Sequence, residues 1–242
     1  MAKVNGLNVR LYVEGYDLSG DANSLSSLGY TNELLDVTAL DTSARKRIVG
    51  TVDSEISVDA WFDNAASRQH AVWTSNSGKL PTADQDVLIP MGAAVGDPFV
   101  GLASKQGTYS TTRAPGSAIA ASAVFSANGS AAEFGEMLTA HDDTHSSAGS
   151  GTVVDSGASS SNGGTGYLQL LSLDSGSVTV NLQESTSSGG SYSNFMTFST
   201  VAAASAPSAE RLTMEGTVQR YIKVTTTGTF SNAKIVVGFS RS

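Results

Sequence analysis

The chain has 242 residues, no cysteine and a formal net charge of −8. Without cysteine there is neither a disulfide framework nor a thiolate metal site, so the fold depends on core packing. Charged residues make up 15% of the chain, below the ~25% of typical globular domains, and small polar residues favour strands joined by turns. The sequence lacks a signal-peptide-like start and an ~18-residue apolar run, so we expect a cytoplasmically made protein with no membrane partner.

The net charge is unevenly distributed along the chain. Residues 1–143 carry nine Lys and Arg against seventeen Asp and Glu, whereas residues 144–242 carry five of each. A negative surface repels polyanions and gains nothing from counterion release, which argues against direct nucleic-acid binding. The same sign suits a conduit through which DNA slides without adhering, and it also serves solubility.

The first elements follow from residue periodicity. Residues 7–13 alternate apolar and polar side chains and predict an opening strand. Residues 20–40 are polar and irregular, which predicts a long loop. Residues 64–73 have apolar side chains at helical spacing and predict a short helix capped by Asp63 or Asn64.

Residues 53–63 alternate strictly and predict a half-buried strand. Its apolar face consists of Ile56, Val58, Ala60 and Phe62. The opposite face carries Asp53, Glu55, Ser57, Asp59, Trp61 and Asp63. Four carboxylates along one strand face predict a solvated, negative surface.

The rest of the chain predicts strands and one compositional break. Before the break, strands are predicted over 86–91, 98–104, 108–113 and 117–125. After it, short runs over 166–173, 177–183, 195–199, 209–214, 219–226 and 233–240 are typical of an antiparallel sandwich. We therefore predict a domain over 1–145, a Ser/Gly-rich linker over 146–165 that can include the next domain's first strand, and a domain over 166–242.

Residues with catalytic or ligating potential form one dense cluster. His141, Asp142, Asp143 and His145 could hold a divalent ion, but they border the Ser/Gly-rich segment and have no helix to set their spacing, so a structural loop is favoured. The chain has no Gly-x-Ser-x-Gly elbow and no phosphate loop. We predict no catalytic, cofactor-binding or metal-binding residues, and a protein that is not an enzyme.

Two stretches resemble phage proteins. Residues 36–47, Asp-Val-Thr-Ala-Leu-Asp-Thr-Ser-Ala-Arg-Lys-Arg, followed by the acidic strand, resemble the N-terminal region of major tail proteins, or tail tube proteins, of long-tailed, siphovirus-like bacteriophages. Residues 166–170, 177–185 and 219–224 resemble an Ig-like module often appended to phage tail and decoration proteins. Gln219 departs from that pattern, where an arginine often stands.

The resemblance implies a mainly β fold. It combines an N-terminal tail-tube β-sandwich or barrel, with one short helix and a long loop, and a C-terminal Ig-like antiparallel sandwich. It further implies a structural virion protein of the tail, assembled in the host cytoplasm as stacked hexameric rings that conduct DNA during ejection, with the C-terminal domain outside. The implied partners are further copies of the chain, a tape-measure protein and a tail terminator, with DNA passing but not specifically bound.

Two sets of residues follow as candidates for assembly. Asp53, Glu55 and Asp59 are expected to face the lumen, while Asp36, Asp41, Arg45, Lys46 and Arg47 are expected in an inter-subunit loop. In an alternative arrangement, the carboxylates instead meet the basic triplet of the adjacent ring. The rival functions are a capsid decoration protein and a carbohydrate-binding module, for which Tyr167, Tyr192 and Tyr221 would be the binding aromatics.

Overall fold

The computed structural model describes residues 9–75 and 77–242, and strands dominate it. Every strand pairing among these residues is antiparallel, and the pairings connect seventeen strands into one network. The predicted mainly β fold class is therefore confirmed. No helix in this part of the chain is long and apolar enough to cross a membrane.

The N-terminal half contains the first nine strands and the α-helix. They are β1 Tyr12–Val13, β2 Tyr16–Asp17, β3 Ala22–Asp36, β4 Arg47–Trp61, α1 Gln69–Trp73, β5 Gln85–Pro90, β6 Pro98–Thr112, β7 Ala120–Ala127, β8 Glu133–Met137 and β9 Thr144–His145.

Two layers enclose the core of this half. One layer has the order β3-β4-β7-β6, and the other has β2-β1-β5-β6-β8. The long strand β6 belongs to both, because its first part pairs with β5 and β8 and its second part with β7. Ile56, Val58, Phe125 and Trp73 fill the space between them and are fully buried.

The predicted loop over residues 20–40 is wrong in its secondary structure. Residues Ala22–Asp36 form a fifteen-residue strand that pairs with β4. Three register shifts interrupt this pairing, and most of the strand has no buried face. Alternation of apolar and polar side chains is the signal that identifies a strand, and bulges together with two-sided exposure remove it.

The predicted helix exists but is shorter and capped differently. It begins at Gln69, five residues after the expected start, because Ser67 has a positive φ of 63°. Neither Asp63 nor Asn64 caps it. The Asp63 carboxylate instead accepts a hydrogen bond from the Ala65 amide at 2.8 Å, and the distant Asp21 carboxylate accepts one from the Gln69 amide at 3.1 Å.

The C-terminal half consists of eight strands and one short 3-10 helix. They are β10 Gly149–Ser150, β11 Val154–Asp155, β12 Gly164–Ser185, β13 Ser193–Thr197, β14 Val201–Ala202, η1 Ala203–Ser205, β15 Ser208–Met214, β16 Tyr221–Thr227 and β17 Phe230–Arg241.

Strand β12 joins the two sheets of a sandwich. Its first part lies between β15 and β17, and its second part lies between β13 and β16. The crossing is at Gly176, whose φ is +80° and whose Cβ, if present, would lie 2.0 Å from the Thr229 carbonyl oxygen. The two strands predicted over 166–173 and 177–183 are thus one. The Ig-like assignment stays a prediction.

The segment predicted as a linker lies along the sandwich. Strands β10 and β11 both pair with β16, and Ser160 forms an isolated bridge with Val218. The Ser/Gly composition therefore accompanies extended backbone that another strand holds in place. The domain boundaries themselves stay a prediction.

The two halves meet in a buried contact that we call the seam. It consists of Tyr12, Leu88, Phe99, Met137, Tyr167 and Val236, all at most 1% exposed. Strand β8 of the first half pairs with both β6 and β17, so one sheet runs through the seam. Glycine makes room for the rings, since a Cβ on Gly101 would lie 2.5 Å from Cζ of Tyr167.

Polar groups at the seam form hydrogen bonds between the two halves. The Tyr167 hydroxyl donates to the Glu133 carboxylate, and Arg211 Nη2 donates to the other carboxylate oxygen of Glu133 at 2.8 Å. Nearby, Gln169 Nε2 donates to the Asp86 carbonyl oxygen at 2.9 Å. Because these partners come from different halves, separating the halves would leave buried polar groups unsatisfied.

Two carboxyl groups beside the seam are unusually hard to ionise. Burial raises the pKa of Glu14 to about 7 and that of Asp86 to about 6. Their segments also hydrogen-bond directly, since the Asp86 amide donates to Glu14 Oε1 at 2.6 Å. Both groups therefore favour the neutral form in the folded chain at a pH where exposed carboxyls are charged.

Candidate assembly surfaces

The acidic strand lies in the middle of the β3-β4-β7-β6 layer and alternates as the sequence predicts. Ile56, Val58 and Ala60 are fully buried. The lumen candidates Asp53, Glu55 and Asp59 are all exposed on the opposite face. Phe62 differs from the prediction: it is half-buried, because it follows the last residue of β4 and lies at the edge of the core.

Neighbouring strands extend this face with hydroxyl groups. Ser122 lies opposite Asp59 and Ser126 opposite Glu55 on β7, and directly opposed residues in antiparallel pairs share a face. Ser122 in turn hydrogen-bonds Ser110 on β6, with 2.8 Å between the two hydroxyl oxygens. We call the outward side of these strands, from Asp53 to Trp61 on β4, the acidic face.

A cation borders the acidic face, but it already has partners. Lys105 lies opposite Ser126. Its Nζ is 2.7 Å from the Asp84 carboxylate and donates to the Thr82 carbonyl oxygen at 2.8 Å. The Asp84 carboxylate therefore largely neutralises the charge of Lys105. The carboxylates of β4 make the net charge of the acidic face negative.

The hairpin of β3 and β4 extends away from the body. Residues 30–53 are all exposed except Gly50, which is half-exposed. We call residues 30–52 the arm. Eight of the eleven large exposed hydrophobic side chains in the described part of the chain lie on it: Tyr30, Leu34, Leu35, Val37, Leu40, Ile48, Val49 and Val52. An apolar concentration of this size on a polar chain is typical of an interaction surface.

The end of the arm is ordered by its own hydrogen bonds. The Asp36 carboxylate accepts from the hydroxyl of Thr38 at 2.5 Å and from its amide at 3.0 Å, and these bonds lower the pKa of Asp36. The Lys46 amide donates to the Thr38 hydroxyl at 2.9 Å. Residues 36–47, the stretch that resembles tail tube proteins, thus form a hydrogen-bonded turn.

The predicted inter-subunit residues all lie at this end. Asp36 is the last residue of β3 and Arg47 the first of β4, while Asp41, Arg45 and Lys46 lie in the turn. All five are exposed. Among the described residues, the three cations form no ion pair. The structure therefore brings the inter-subunit candidates together and keeps them apart from the lumen candidates.

Both edges of the layer that carries the acidic face are open. Within residues 9–75 and 77–242, β3 pairs only with β4, and residues 105–112 of β6 pair only with β7. Unpaired strand edges expose backbone donors and acceptors that another chain can use. An alternating sequence pattern does not show which strands lie at the edge of a sheet. The sequence analysis therefore did not predict the two open edges.

The structure also places the candidates for other functions. The described residues contain no group of three or more His, Cys, Asp and Glu side chains arranged to hold a metal. His145 Nε2 is 3.3 Å from the Asp143 carboxylate. Tyr167 is buried in the seam, and Tyr192 and Tyr221 are half-buried under Lys223 and Arg220, respectively. These rings do not form the open aromatic platform expected of a carbohydrate-binding module.

Comparisons with known proteins were made at three levels. No family model matches the chain, and no curated protein matches it. Among solved structures, a chain of the virion of a native gene transfer agent particle overlaps with a TM-score of 0.41 and 16% identity, covering 54% of this chain and 97% of that one. A chain of the PVC sheath-tube complex, an extracellular contractile injection system in its extended state, gives 0.43 and 11%, covering 55% and 92%.

A third overlap covers nearly the whole chain. The SPP1 Dit protein, described as a paradigm of the hub adsorption apparatus of phages that infect Gram-positive bacteria, gives a TM-score of 0.38 and 10% identity, covering 96% of this chain and 98% of that one. The three overlaps are thus with components of a gene transfer agent particle, a contractile injection system and a phage. At these scores they do not establish a common fold.

Proposed function

We propose that this chain is a structural subunit of a phage-like tail tube. The observation that carries the proposal is the layer β3-β4-β7-β6, which has one buried face, one acidic and hydroxyl-rich face, and two open edges. Pairing β3 of one copy with residues 105–112 of the next would satisfy both edges at once. Repetition around an axis closes such a sheet into a barrel, which removes the edges.

The geometry of a closed barrel would decide where the acidic face lies. The core and the C-terminal sandwich lie on the other side of the layer, so the acidic face would line the interior. The carboxylates of Asp53, Glu55 and Asp59, repeated by every copy, would form a negative wall that repels a passing polyanion. Following the resemblance in sequence, we further propose that the ring is hexameric, that rings stack and that DNA passes through during ejection.

The arm supports self-association independently of the edges. Its exposed apolar side chains are unfavourable in water and gain from burial against another chain, at roughly 25 cal/mol per Å² of apolar surface. The C-terminal sandwich would lie outside the tube because the seam holds it away from the acidic face. A tape-measure protein inside the tube and a terminator at its end would be the further partners.

Assembly is the direct test of this proposal. Purified chain at rising concentration should form rings or tubes in negative-stain microscopy, and a sedimentation profile should show the corresponding large species. The double substitution Leu34→Ser and Val49→Ser on the arm should prevent the formation of tubes. The matched control is Leu80→Ser, which changes an exposed leucine outside the arm. A chain that stays monomeric at every concentration and salt level would contradict the proposal.

The lumen assignment needs its own experiment. Asp53→Lys with Glu55→Lys should still assemble, because neither side chain is buried, but the resulting tubes should retain duplex DNA when they are pelleted. Wild-type tubes should release it. The control is Asp174→Lys with Glu215→Lys, the same change in charge in the C-terminal half. If the control tubes retain equal amounts of DNA, the acidic face does not line the lumen.

A further inference from the structure

Trp61 is the exposed aromatic side chain at the end of the acidic face. It is the last residue of β4, and 51% of its surface is exposed. Across the sheet it faces Ala120 of β7, which in turn lies opposite Thr112 of β6. The small side chain of Ala120 leaves the indole uncovered on that side. The other tryptophan, Trp73, is fully buried in the core.

A shallow concavity surrounds the indole. It has a volume of about 280 Å³ and is lined by Asn23, Asp59, Trp61, Thr112, Ala120, Ala121 and Ser122. Asp59 is the one charged residue among these, and its carboxylate is exposed. The site therefore combines one large apolar surface with one carboxylate, and it fits a partner that presents an aliphatic side chain beside a cation.

The end of the arm presents those two groups next to each other. Ile48 and Val49 are 51% and 65% exposed, and they directly follow Arg45, Lys46 and Arg47. None of the three cations has an ion-pair partner in the described part of the chain. The charge and the apolar surface of the arm thus match the Trp61 concavity.

The two complementary surfaces cannot meet within one chain. Arg47 and Trp61 are the two ends of β4, and fourteen steps along a strand span roughly 45 Å. Because the end of the arm and the Trp61 concavity lie at opposite ends of a subunit, their binding would be a head-to-tail contact between two copies. A head-to-tail contact produces an open filament when its rotation does not close into a ring, and a contact between the two ends of β4 fits stacking along an axis.

We infer that the concavity at Trp61 receives the end of the arm of a second copy in the next ring. In this contact Ile48 or Val49 covers the indole and Arg47 pairs with Asp59. The inference rests on the proposed function and refines it. Pairing of the open strand edges joins the copies within a ring, and the contact between the arm and Trp61 joins one ring to the next. Asp59 then lies where the wall of one ring meets the next, while Asp53 and Glu55 remain in the lumen.

Tryptophan fluorescence of the wild-type protein tests the contact without any change in the chain. In the monomer, iodide should quench the exposed Trp61 and not the buried Trp73. On assembly into tubes, quenching by iodide should fall toward the level of a Trp61→Phe variant, and the emission should shift to the blue. If tubes form while Trp61 stays as quenchable as in the monomer, the inference is overturned and the proposed function stands. If nothing assembles, the proposed function fails.

Charge reversal identifies the partner. Arg47→Glu alone and Asp59→Arg alone should each give single rings in place of tubes, and the combination should restore stacking. Lys79→Glu is the control, because this exposed cation lies outside both the arm and the Trp61 concavity and should not affect stacking. Two single variants that stack normally, or a double variant that does not regain stacking although it forms rings, would overturn the pairing.

Cross-linking gives a third readout, since the chain has no cysteine of its own. Asn23→Cys combined with Lys46→Cys, treated with a short bismaleimide, should yield a ladder of covalent multimers from tubes. Each single variant should yield no ladder. A ladder that is absent from the double variant in microscopically verified tubes would place the end of the arm elsewhere and overturn the inference.

Discussion

The seam and the arm are two places where this chain carries apolar strand surface, and they differ in whether a partner is present. At the seam, the rings of Phe99 and Tyr167 pack edge to face at 5.8 Å, and polar groups of both halves are hydrogen-bonded. On the arm, Leu34 and Val49 are 58% and 65% exposed. Apolar side chains therefore have two roles. In the seam they are buried and stabilise the monomer, and on the arm they stay exposed and are available to bind another chain.

The contrast teaches that stability and assembly depend on separate parts of the molecule. Substitutions in the seam should change the free energy of unfolding of the monomer. Substitutions on the arm should change association and leave unfolding almost as it was. The following four predictions test this division, and all concern the monomer in chemical denaturation at a concentration below assembly.

The largest effect is expected for Tyr167→Ala. The substitution removes a fully buried ring from the seam and takes a hydrogen-bond donor from Glu133. Large-to-small changes of aromatic core residues cost about 3–5 kcal/mol. The control is Tyr192→Ala, which removes a half-buried tyrosine at the surface of the sandwich. Equal losses for the two variants would mean that the seam contributes no special stability.

The next largest effect is expected for Gly101→Ala. The new methyl group would lie within 3 Å of three atoms of the Tyr167 ring, so the ring or the strand must shift. Overpacking of this kind costs roughly 1–3 kcal/mol. Gly107→Ala on the same strand is the matched control, because its nearest neighbours are at 3.9 Å. A destabilisation of the same size in both variants would contradict the steric explanation.

A pH-dependent effect is expected from Glu14. Burial raises its pKa to about 7 in the folded chain, above the ~4.3 of an exposed glutamate. Folding therefore takes up a proton between these values. The stabilisation from the neutral carboxyl is complete below about pH 4 and is lost as the pH rises through about 7.

Glu14→Gln should remove this pH dependence. Glutamine imitates the neutral carboxyl and keeps an oxygen that can accept from the Asp86 amide. The variant should be more stable than the wild type at pH 8 and equally stable at pH 4. Denaturation midpoints of both proteins across this range measure it. A difference that is constant with pH would show that the Glu14 carboxyl does not titrate on folding.

The smallest effect on stability is expected on the arm. Leu34→Ser with Val49→Ser changes two exposed side chains, and surface substitutions usually alter the free energy of unfolding by less than about 0.5 kcal/mol. The same variant should form no tubes. A destabilisation of the monomer comparable to that of Tyr167→Ala would show that the arm packs against its own body in solution and would remove the contrast.

The sequence alone predicted much of the architecture, because the alternation of apolar and polar side chains along a strand indicates directly which side chains are buried. Residues 53–63 alternate, and the structure buries Ile56, Val58 and Ala60 while it exposes Asp53, Glu55 and Asp59. The strand over residues 86–91 is also found nearly as predicted, at Gln85–Pro90. These strands have one core face and one solvent face, so their amino-acid pattern carries the information.

Tertiary structure decided the features for which no such pattern exists. The arm has no buried face, and its bulges break the period, so β3 was predicted as a loop. Strand β12 continues through Gly176 from one sheet into the other, where composition indicates a turn. The open edges and the seam depend on which strands are neighbours, and strand order results from contacts between residues far apart in the chain.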